Sequence, residues 1–437
     1  MKLFRMNEFD DRIIVVDSYP GSGKTSWAIN YINSLSEDTK VIYITPYLDE
    51  IERIISKCPE KNFYQPSPKF GAGSKMNHLF KLIGKGSNIV STHALFKNID
   101  DTMINLLRSN DYVLILDEVF QTVEKYDISE DNNEEITRKD VDVLLSKNLI
   151  KVEDDFRVIW VDHEDELSKY KNLMSLCERN LLYLVNNSLL MWTFPSELFK
   201  DDIFSQIFIL THRFESQLQS YYYNYFDVKY TKYVCRKNDY GYYITKDDDH
   251  QAETEWKNFI KQKIHILEND KINRIGNIYK DSRNHSHEGA LSKTWYDKNR
   301  PSLLILKRNM SNYFQNISKS KAEERLWTCF KEHVNDMAKG KYISKKHWLA
   351  CNARATNNYS YKTCLAYMIN RYVSPFYDDF FNKKNIVIDQ DEFALSEMIQ
   401  WIWRSAIRNG QDINIYIPSE RMRTLLKKYL NDEKVEF

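Results

Sequence analysis

Ile13-Ile-Val-Val-Asp17-Ser-Tyr-Pro20-Gly21-Ser22-Gly23-Lys24-Thr25-Ser26 is the stretch from which the rest of the chain is read. Four apolar residues, a glycine-rich turn and the amphipathic run Thr25–Leu35 describe a buried strand, a tight loop and a helix. Gly21 and Gly23 let the backbone bend so that successive N–H groups face one point, and the helix start adds its positive dipole end. This is the chemistry of a phosphate cradle. Pro20, Gly21, Ser22, Gly23, Lys24, Thr25 and Ser26 are the expected nucleotide contacts. Lys24 would reach the β- and γ-phosphates, and the Thr25 hydroxyl would ligate Mg2+. The strict form of the pattern has glycine where this chain has Ser18.

Working outward, Tyr112-Val-Leu-Ile-Leu-Asp117-Glu118-Val-Phe120 is an apolar strand ending in two carboxylates. The carboxyl end of a strand in a parallel sheet opens onto the ligand crevice. There Asp117 would hold Mg2+ through its water shell, and Glu118 would polarise the water that attacks the γ-phosphate. A strand ending in acids is weak evidence alone. Placed after a phosphate loop, the two motifs together point to ATP hydrolysis.

Short apolar runs alternate with helix-like stretches, which implies a mostly parallel sheet with helices on its faces. In the first half the strands are expected at Ile13–Asp17, Lys40–Thr45, Asn88–Ser91, Tyr112–Leu116, Phe156–Val161 and Ser188–Trp192. The acidic stretch Ser129–Glu135 reads as an exposed loop. A tyrosine-rich stretch, Tyr221–Tyr225, places a domain boundary near 212–230, giving domains 1–220 and 221–437. In the second half, strands are expected at Ser302–Lys307, His347–Cys351, Asn385–Ile388 and Asn414–Ile417. Helices are expected at Ala322–Ala338, Tyr361–Val373, Ala394–Ile407 and Ser419–Leu430, and Asp281–Lys293 reads as a polar loop. Gln400, Arg404 and Arg408 would share one face of the third of these helices, at i, i+4 and i+8. Arg421, Arg423, Lys427 and Lys428 form a basic cluster, which is either a solvated face or a phosphate contact.

With 437 residues the chain is long enough for two or three domains. Its 62 basic and 62 acidic side chains cancel, so any nucleic-acid partner must be held by local basic surface. The six cysteines form no C-x-x-C pair, which argues against a zinc ribbon or disulfide framework and fits a reducing compartment. No apolar stretch is long enough to span a bilayer and the start does not read as a signal peptide, so a cytoplasmic protein of a bacterial host, with no membrane partner, is expected.

The sequence resembles phage- and prophage-encoded helicase-like proteins of superfamily 2, related to the DEAD/DEAH proteins. Beyond the two motifs above, the resemblance runs through Ile209–Glu215, Ala290–Trp295, Cys351–Asn357, Ala394–Arg408 and Tyr416–Arg423. It implies an α/β chain of two RecA-like P-loop NTPase domains that bind ATP and Mg2+. Its partner would be nucleic acid, DNA for preference, with proteins of replication or recombination. Thr45-Pro46 and Thr92-His93 end strands where such proteins touch the nucleic-acid backbone, and Arg354, Thr356 and Asn357 stand where they link DNA to ATP. Gln400 would contact the nucleotide, and Arg404 or Arg408 would serve as arginine finger, although the usual second spacing is +7 and here it is +8. Thr193-Phe-Pro-Ser196 occupies the place of the motif that relays nucleotide state. Phe120 departs from the Asp or His that ends the DEAD or DEAH motif, which puts strand separation in doubt but not ATP binding.

Two further readings remain open on sequence. A DNA-packaging ATPase would carry a nuclease centre, for which Asp378, Asp379, Asp389 and Asp391 are the available acids. An ATP-switched nucleic-acid-binding module would bind the nucleotide without unwinding.

Overall fold

The structure, a computed structural model, describes residues 9, 11–46, 48–97, 99–126, 136–161, 168–186, 188–246, 250–280, 282, 286–338, 342–353 and 358–432. The chain packs as two compact units. One holds the chain up to Asp17, Gly23–Ile244 and Ser374–Val387; the other holds Ser18–Ser22, Thr245–Val373 and Ile388 onward.

The first unit is built on β1 (Ile13–Asp17), β2 (Lys40–Thr45), β3 (Ile89–Thr92), β4 (Tyr112–Asp117), β5 (Phe204–Thr211), β6 (Thr231–Asn238) and β7 (Gly241–Thr245). They form one sheet in the order β7-β6-β1-β5-β4-β2-β3. From β6 to β3 every pairing is parallel. Ile14, Val16, Val41 and Tyr43 are buried from that sheet together with Trp27, Ala28 and Ile32 of the helix Lys24–Ser34. Strands covered on both faces must be apolar throughout, which is why they read as unbroken apolar runs.

Between β4 and β5 lies a small antiparallel module with its own core. Val123–Lys125 and Leu182–Val185 flank Ser188–Trp192, and Ile150–Val152 pairs with Val158–Trp160. Ile150, Val158 and Trp160 pack with Val141 and Leu144 of the helix Arg138–Ser146 and with Leu173 of Lys171–Glu178. The strand expected from Phe156 starts late because Phe156 itself has φ 72°. Helix Pro375–Asn382, from far along the chain, joins this unit and sets the Phe380 ring 5.4 Å from Trp192. The loop expected at Ser129–Glu135 lies outside the described residues.

The second unit carries β8 (Ile264–Ile266), β9 (Arg325–Thr328), β10 (Cys364–Tyr367) and β11 (Ile413–Tyr416), all parallel, in the order β8-β11-β10-β9. Several expectations are overturned here. Ser302–Lys307 is not a strand but part of the helix Arg300–Asn312, with Pro301 in its first turn. Leu303, Leu306 and Met310 are buried at helical spacing while Leu304 and Ile305 stay more than half exposed. The expected helices Ala322–Ala338 and Tyr361–Val373 instead contain β9 and β10, four residues each and wholly buried. His347–Cys351 is not a strand: it follows on from a 3-10 turn, Lys345–His347, and pairs with β9 through an isolated bridge, Trp327–Trp348. Asn385–Ile388 holds no strand; Asn385 has φ 58°, which breaks an extended run.

Candidate functional site

The site grows from the carboxyl ends of β1, β2 and β4. After Asp17 the chain turns, with the Ser22 N–H donating to the Tyr19 carbonyl at 3.2 Å, and enters the helix at Lys24. Gly21 (φ 86°) and Gly23 (φ 96°) both stand in the left-handed region. At each position a Cβ also has no room: it would lie 2.5 Å from the Trp403 ring at Gly21 and 2.0 Å from the Tyr242 ring at Gly23. Glycine is therefore required twice over, by conformation and by packing. No side chain caps the helix, and its first turn carries no acid. A helix start without a side-chain cap or an acid in its first turn is suited to an anion.

Around Lys24 the sheet gathers charge. Desolvation lowers the pKa of its ammonium, while Glu118 first, then Asp17 and Asp117, act to raise it. Burial raises the Asp117 carboxyl to about 7, helped by the like charges of Glu50 and Glu118 and opposed by Tyr43 and Lys24. The Tyr43 hydroxyl donates to Asp117 Oδ2 at 3.0 Å, and the His93 ring nitrogen Nε2 lies 3.2 Å from the Asp117 carbonyl. Glu118 sits at φ 72°, a left-handed conformation that costs a non-glycine residue about 1–2 kcal/mol. Its N–H bonds the Leu210 carbonyl of β5 at 2.9 Å, and among the described residues nothing hydrogen-bonds its Oε2. A strained, partly unsatisfied carboxylate beside a desolvated lysine is a costly arrangement, of the kind found where charge is held for a ligand.

Asp17, Tyr43 and Glu50 belong to this cluster and were missed from sequence. Asp17 accepts the N–H groups of Arg213 (2.7 Å) and Phe214 (2.9 Å), pinning the turn after β5 where Arg213 has φ 57°. Burial raises its carboxyl, against the pull of those bonds and of Lys24. Its place at the end of β1 was the one available signal. Tyr43 and Glu50 become neighbours of Asp117 only through strand order.

The residues fit a nucleotide with one divalent ion. The turn offers N–H groups and Lys24 to phosphates, and Asp117, crowded by two other carboxylates, is a group that a cation would restore to charge. Among the described residues no set of three or more His, Cys, Asp or Glu side chains could hold a metal alone. An ion here would be completed by phosphate oxygens and water, the usual manner of Mg2+.

Of the expected nucleic-acid contacts, Thr45 is fully buried, and Thr92, its register partner on β3, is partly so. Pro46 is partly exposed, and Arg354, Thr356 and Asn357 lie outside the described residues. The Phe120 ring stacks on Phe194 with centroids 4.3 Å apart and meets His93 edge-on at 4.9 Å. Thr193 Oγ1 donates to the Gln121 carbonyl at 2.6 Å. The departure at Phe120 thus joins three motif segments through an aromatic contact.

In the second unit the helix Gln390–Ile402, capped by Asp389, stops before Arg404. Arg404 stands in a turn and Arg408 in the 3-10 segment Ala406–Asn409, which Gly410 closes at φ 74°. Gln400, Arg404 and Arg408 therefore do not share one helix face; Gln400 and Arg404 are buried and Arg408 is partly exposed. The basic cluster near the C-terminus is also reassigned. Arg421 is buried, donates to Asp391, Asn370, and the carbonyls of Arg371 and Gln390, and lies over Tyr372. Arg423 holds the Ile417 and Pro418 carbonyls. Both are structural. Asp391 is held by Arg421, Asp389 caps its helix and Asp379 accepts from Asn186, and among the described residues no group of three or more such acids could hold a metal.

Residues 258–430 match the family model described as the YonV C-terminal Rossmann-like domain. Residues 132–192 match the YonV middle domain, a span that holds the antiparallel module apart from its first strand, Val123–Lys125. The SPbeta prophage-derived uncharacterized protein YonV of Bacillus subtilis strain 168 is 40% identical over 433 residues, covering 97% of this chain and all of that one. Among solved structures, the DUF1998 helicase MrfA bound to DNA and AMPPNP aligns over 97% of this chain and 48% of its own, at 11% identity and a TM-score of 0.34. This chain spans about half the length of that helicase. No helix among the described residues is long and apolar enough to cross a membrane.

Proposed function

We propose, from the premise that this chain belongs to the YonV family, that it is an ATP hydrolase of the superfamily 2 helicase type acting on nucleic acid for a phage or other mobile element. Its two parallel sheets are read as RecA-like domains, and its place of work is the cytoplasm of the bacterial host. The observation that carries the reading is the group at the carboxyl edge of the first sheet. A desolvated Lys24 faces Glu118, Asp17 and Asp117 behind a glycine turn that tolerates no side chain.

In this reading Pro20–Ser26 hold the triphosphate, with Lys24 against its β- and γ-oxygens. Thr25 and Asp117 hold Mg2+, whose contribution when bound is to neutralise charge on the transferring phosphoryl group. Glu118 accepts the proton of the attacking water and orients it. Tyr43 fixes the carboxylate of Asp117, and Asp17 fixes the turn that carries Arg213. Gln400 is assigned a nucleotide contact, and Arg404 or Arg408 the neutralising role of an arginine finger. Pro46, Thr92, His93, Arg354, Thr356 and Asn357 are assigned to the nucleic acid, while Thr45, being fully buried, is not.

The test is Mg2+-dependent ATP hydrolysis with and without single-stranded DNA, RNA and duplex, beside Lys24→Ala and Glu118→Gln. Stimulation by one polymer, abolished in both variants, is expected. Turnover that is present but indifferent to every polymer would sink the nucleic-acid half of the reading. Turnover unchanged by Lys24→Ala would sink the whole. The Phe120–Phe194 stack, in place of a polar link, favours one second reading, an ATP-switched binding module; tight ATP binding with negligible turnover would select it.

A further inference from the structure

Between Asp336 and Asp378 the chain contains no aspartate or glutamate. At its average of 62 acids in 437 residues, those 41 positions would hold about six. The same segment carries seven lysines and arginines, interleaved with Tyr342, Trp348, Tyr359 and Tyr361. A neutral chain has concentrated an uncompensated positive run in one place, in the second unit.

Part of that run is anchored and part is displayed. Trp327 Nε1–H donates to the Ser344 carbonyl at 2.9 Å, and the Leu349 N–H donates back to the Trp327 carbonyl at 3.0 Å. Trp348 Nε1–H reaches the Cys329 carbonyl at 3.2 Å. Ser344–Leu349 is thereby fastened along the outer edge of the sheet beside β9, and the 3-10 turn within it lifts Lys345 and Lys346 into solvent. Neither lysine makes an ion pair among the described residues. A second cord ties in the neighbouring chain: Lys362, itself buried, donates to the Glu323 carbonyl and to His347 Nδ1 at 3.1 Å. That ammonium lies 4.7 Å from the centroid of the Tyr361 ring, which is 57% exposed. Two free lysines and one displayed aromatic ring are thus held on a common support, with Asn352 and Asn358 exposed in the same stretch. Lysines that track a backbone beside a flat ring on which a base can stack are the elements of single-strand recognition.

We propose that the surface formed by Lys345, Lys346 and Tyr361 binds single-stranded nucleic acid, the lysines on its phosphates and Tyr361 on a base. The proposal rests on the nucleic-acid reading above and names the strand and the place on the second unit. Burial lowers the His347 pKa first, with the charges of Lys362 and Lys346 acting the same way, so the imidazole accepts from Lys362 as a neutral ring and adds no charge.

The experiment measures binding of the full-length protein, without nucleotide, to fluorescent 30-residue oligo-dT and oligo-U, to a duplex of equal length and to phosphatidylserine vesicles. The variants are Lys345→Glu with Lys346→Glu, Tyr361→Ala and Tyr361→Phe. The double reversal should weaken single-strand binding at least tenfold and reduce the log–log salt slope by about 1.4, as expected for two lost phosphate contacts. Tyr361→Ala should weaken it roughly tenfold and Tyr361→Phe should restore it. Single-strand binding within twofold of wild type and an unchanged salt slope in the double reversal would overturn the proposal. So would a loss confined to duplex or to vesicles. Lys24→Ala should bind the oligonucleotides as wild type does; its ATP turnover reports on the hydrolase reading alone, so either reading can fail while the other stands.

Discussion

The carboxyl edges of the two parallel sheets hold similar residue types in opposite states. At the edge of the first sheet, charge is left in tension: Glu118 is held at φ 72° with one oxygen unbonded among the described residues, and Asp117 is raised to about 7 by burial and by other carboxylates. Beyond the second sheet, charge is resolved. Arg421 uses its guanidinium on Asp391, Asn370 and two carbonyls, and Arg371 lies 3.3 Å from Glu397 with Phe393 beneath it. Burial alone therefore does not mark a reactive site. What separates the two edges is whether the charged groups have partners supplied by the fold or are kept short of them.

That contrast predicts opposite responses to substitution. Glu118→Gly removes the left-handed strain, so it should leave stability level or raise it by about 1 kcal/mol. The same change should lower ATP turnover by about 10²–10⁴-fold, the usual worth of a positioned base. Thermal melts and steady-state hydrolysis on the same preparation would check both, and a variant that both melts lower and hydrolyses normally would break the comparison. Arg421→Met should do the reverse. Removing one partner of a buried pair strands Asp391 and Asn370, costing about 3–5 kcal/mol. Urea unfolding followed by fluorescence of the second unit would show it; an unchanged midpoint would mean that this network is not what holds the edge.

A smaller effect tests whether the aromatic link in the first unit is more than packing. Phe120 is 2% exposed and makes its contacts with Phe194 and His93 through ring faces and edges. Phe120→Leu keeps most of the volume and loses the ring interaction, which should cost about 1 kcal/mol in stability. If the stack relays nucleotide state, the ratio of stimulated to unstimulated ATP turnover should also fall severalfold. A drop in stability with the ratio intact would reduce the stack to core.

The two edges also differ in how far sequence discloses them. β1, β2 and β4 are runs of five or six residues between turn signals, long enough for a buried strand to declare itself, and the phosphate loop is local in the chain. β9 and β10 have four residues each inside longer amphipathic stretches, so the helical period won on paper while the sheet won in the structure. The error at Ser302–Lys307 is the mirror image, an apolar run whose burial repeats every three or four residues. Asp117 and Glu118 could be found because they follow their own strand. Tyr43 and Glu50 could not be assigned, because their meeting with Asp117 depends on β2 lying beside β4, which no local pattern states. The face expected for Gln400, Arg404 and Arg408 failed for a reason readable only in retrospect: Gly410 closes a 3-10 turn, and the helix has already ended eight residues before it.

The antiparallel module offers the mildest test, through one carboxylate that is partnered as Arg421 is. Asp140 completes the capping box of its helix, whose N-cap is Thr137: it accepts from the Thr137 N–H at 2.7 Å and the Thr137 hydroxyl at 2.6 Å, and also from Lys169 and Tyr170. Burial acts to raise this carboxyl, but those hydrogen bonds outweigh it and hold the group well below the usual carboxylate range. A depressed folded-state pKa means that the unfolded chain binds the proton more readily. The stabilisation is therefore complete above the unfolded value of about 4 and is lost as pH falls through the folded one. Asp140→Asn should weaken the module by about 1 kcal/mol at pH 7, the worth of a helix cap, with the difference from wild type shrinking at pH 3. Hydrogen exchange of the Arg138–Ser146 amides at the two pH values would read it. A difference that stays constant with pH would show that the cap works by shape and not by charge, and would set this module apart from the resolved network around Arg421.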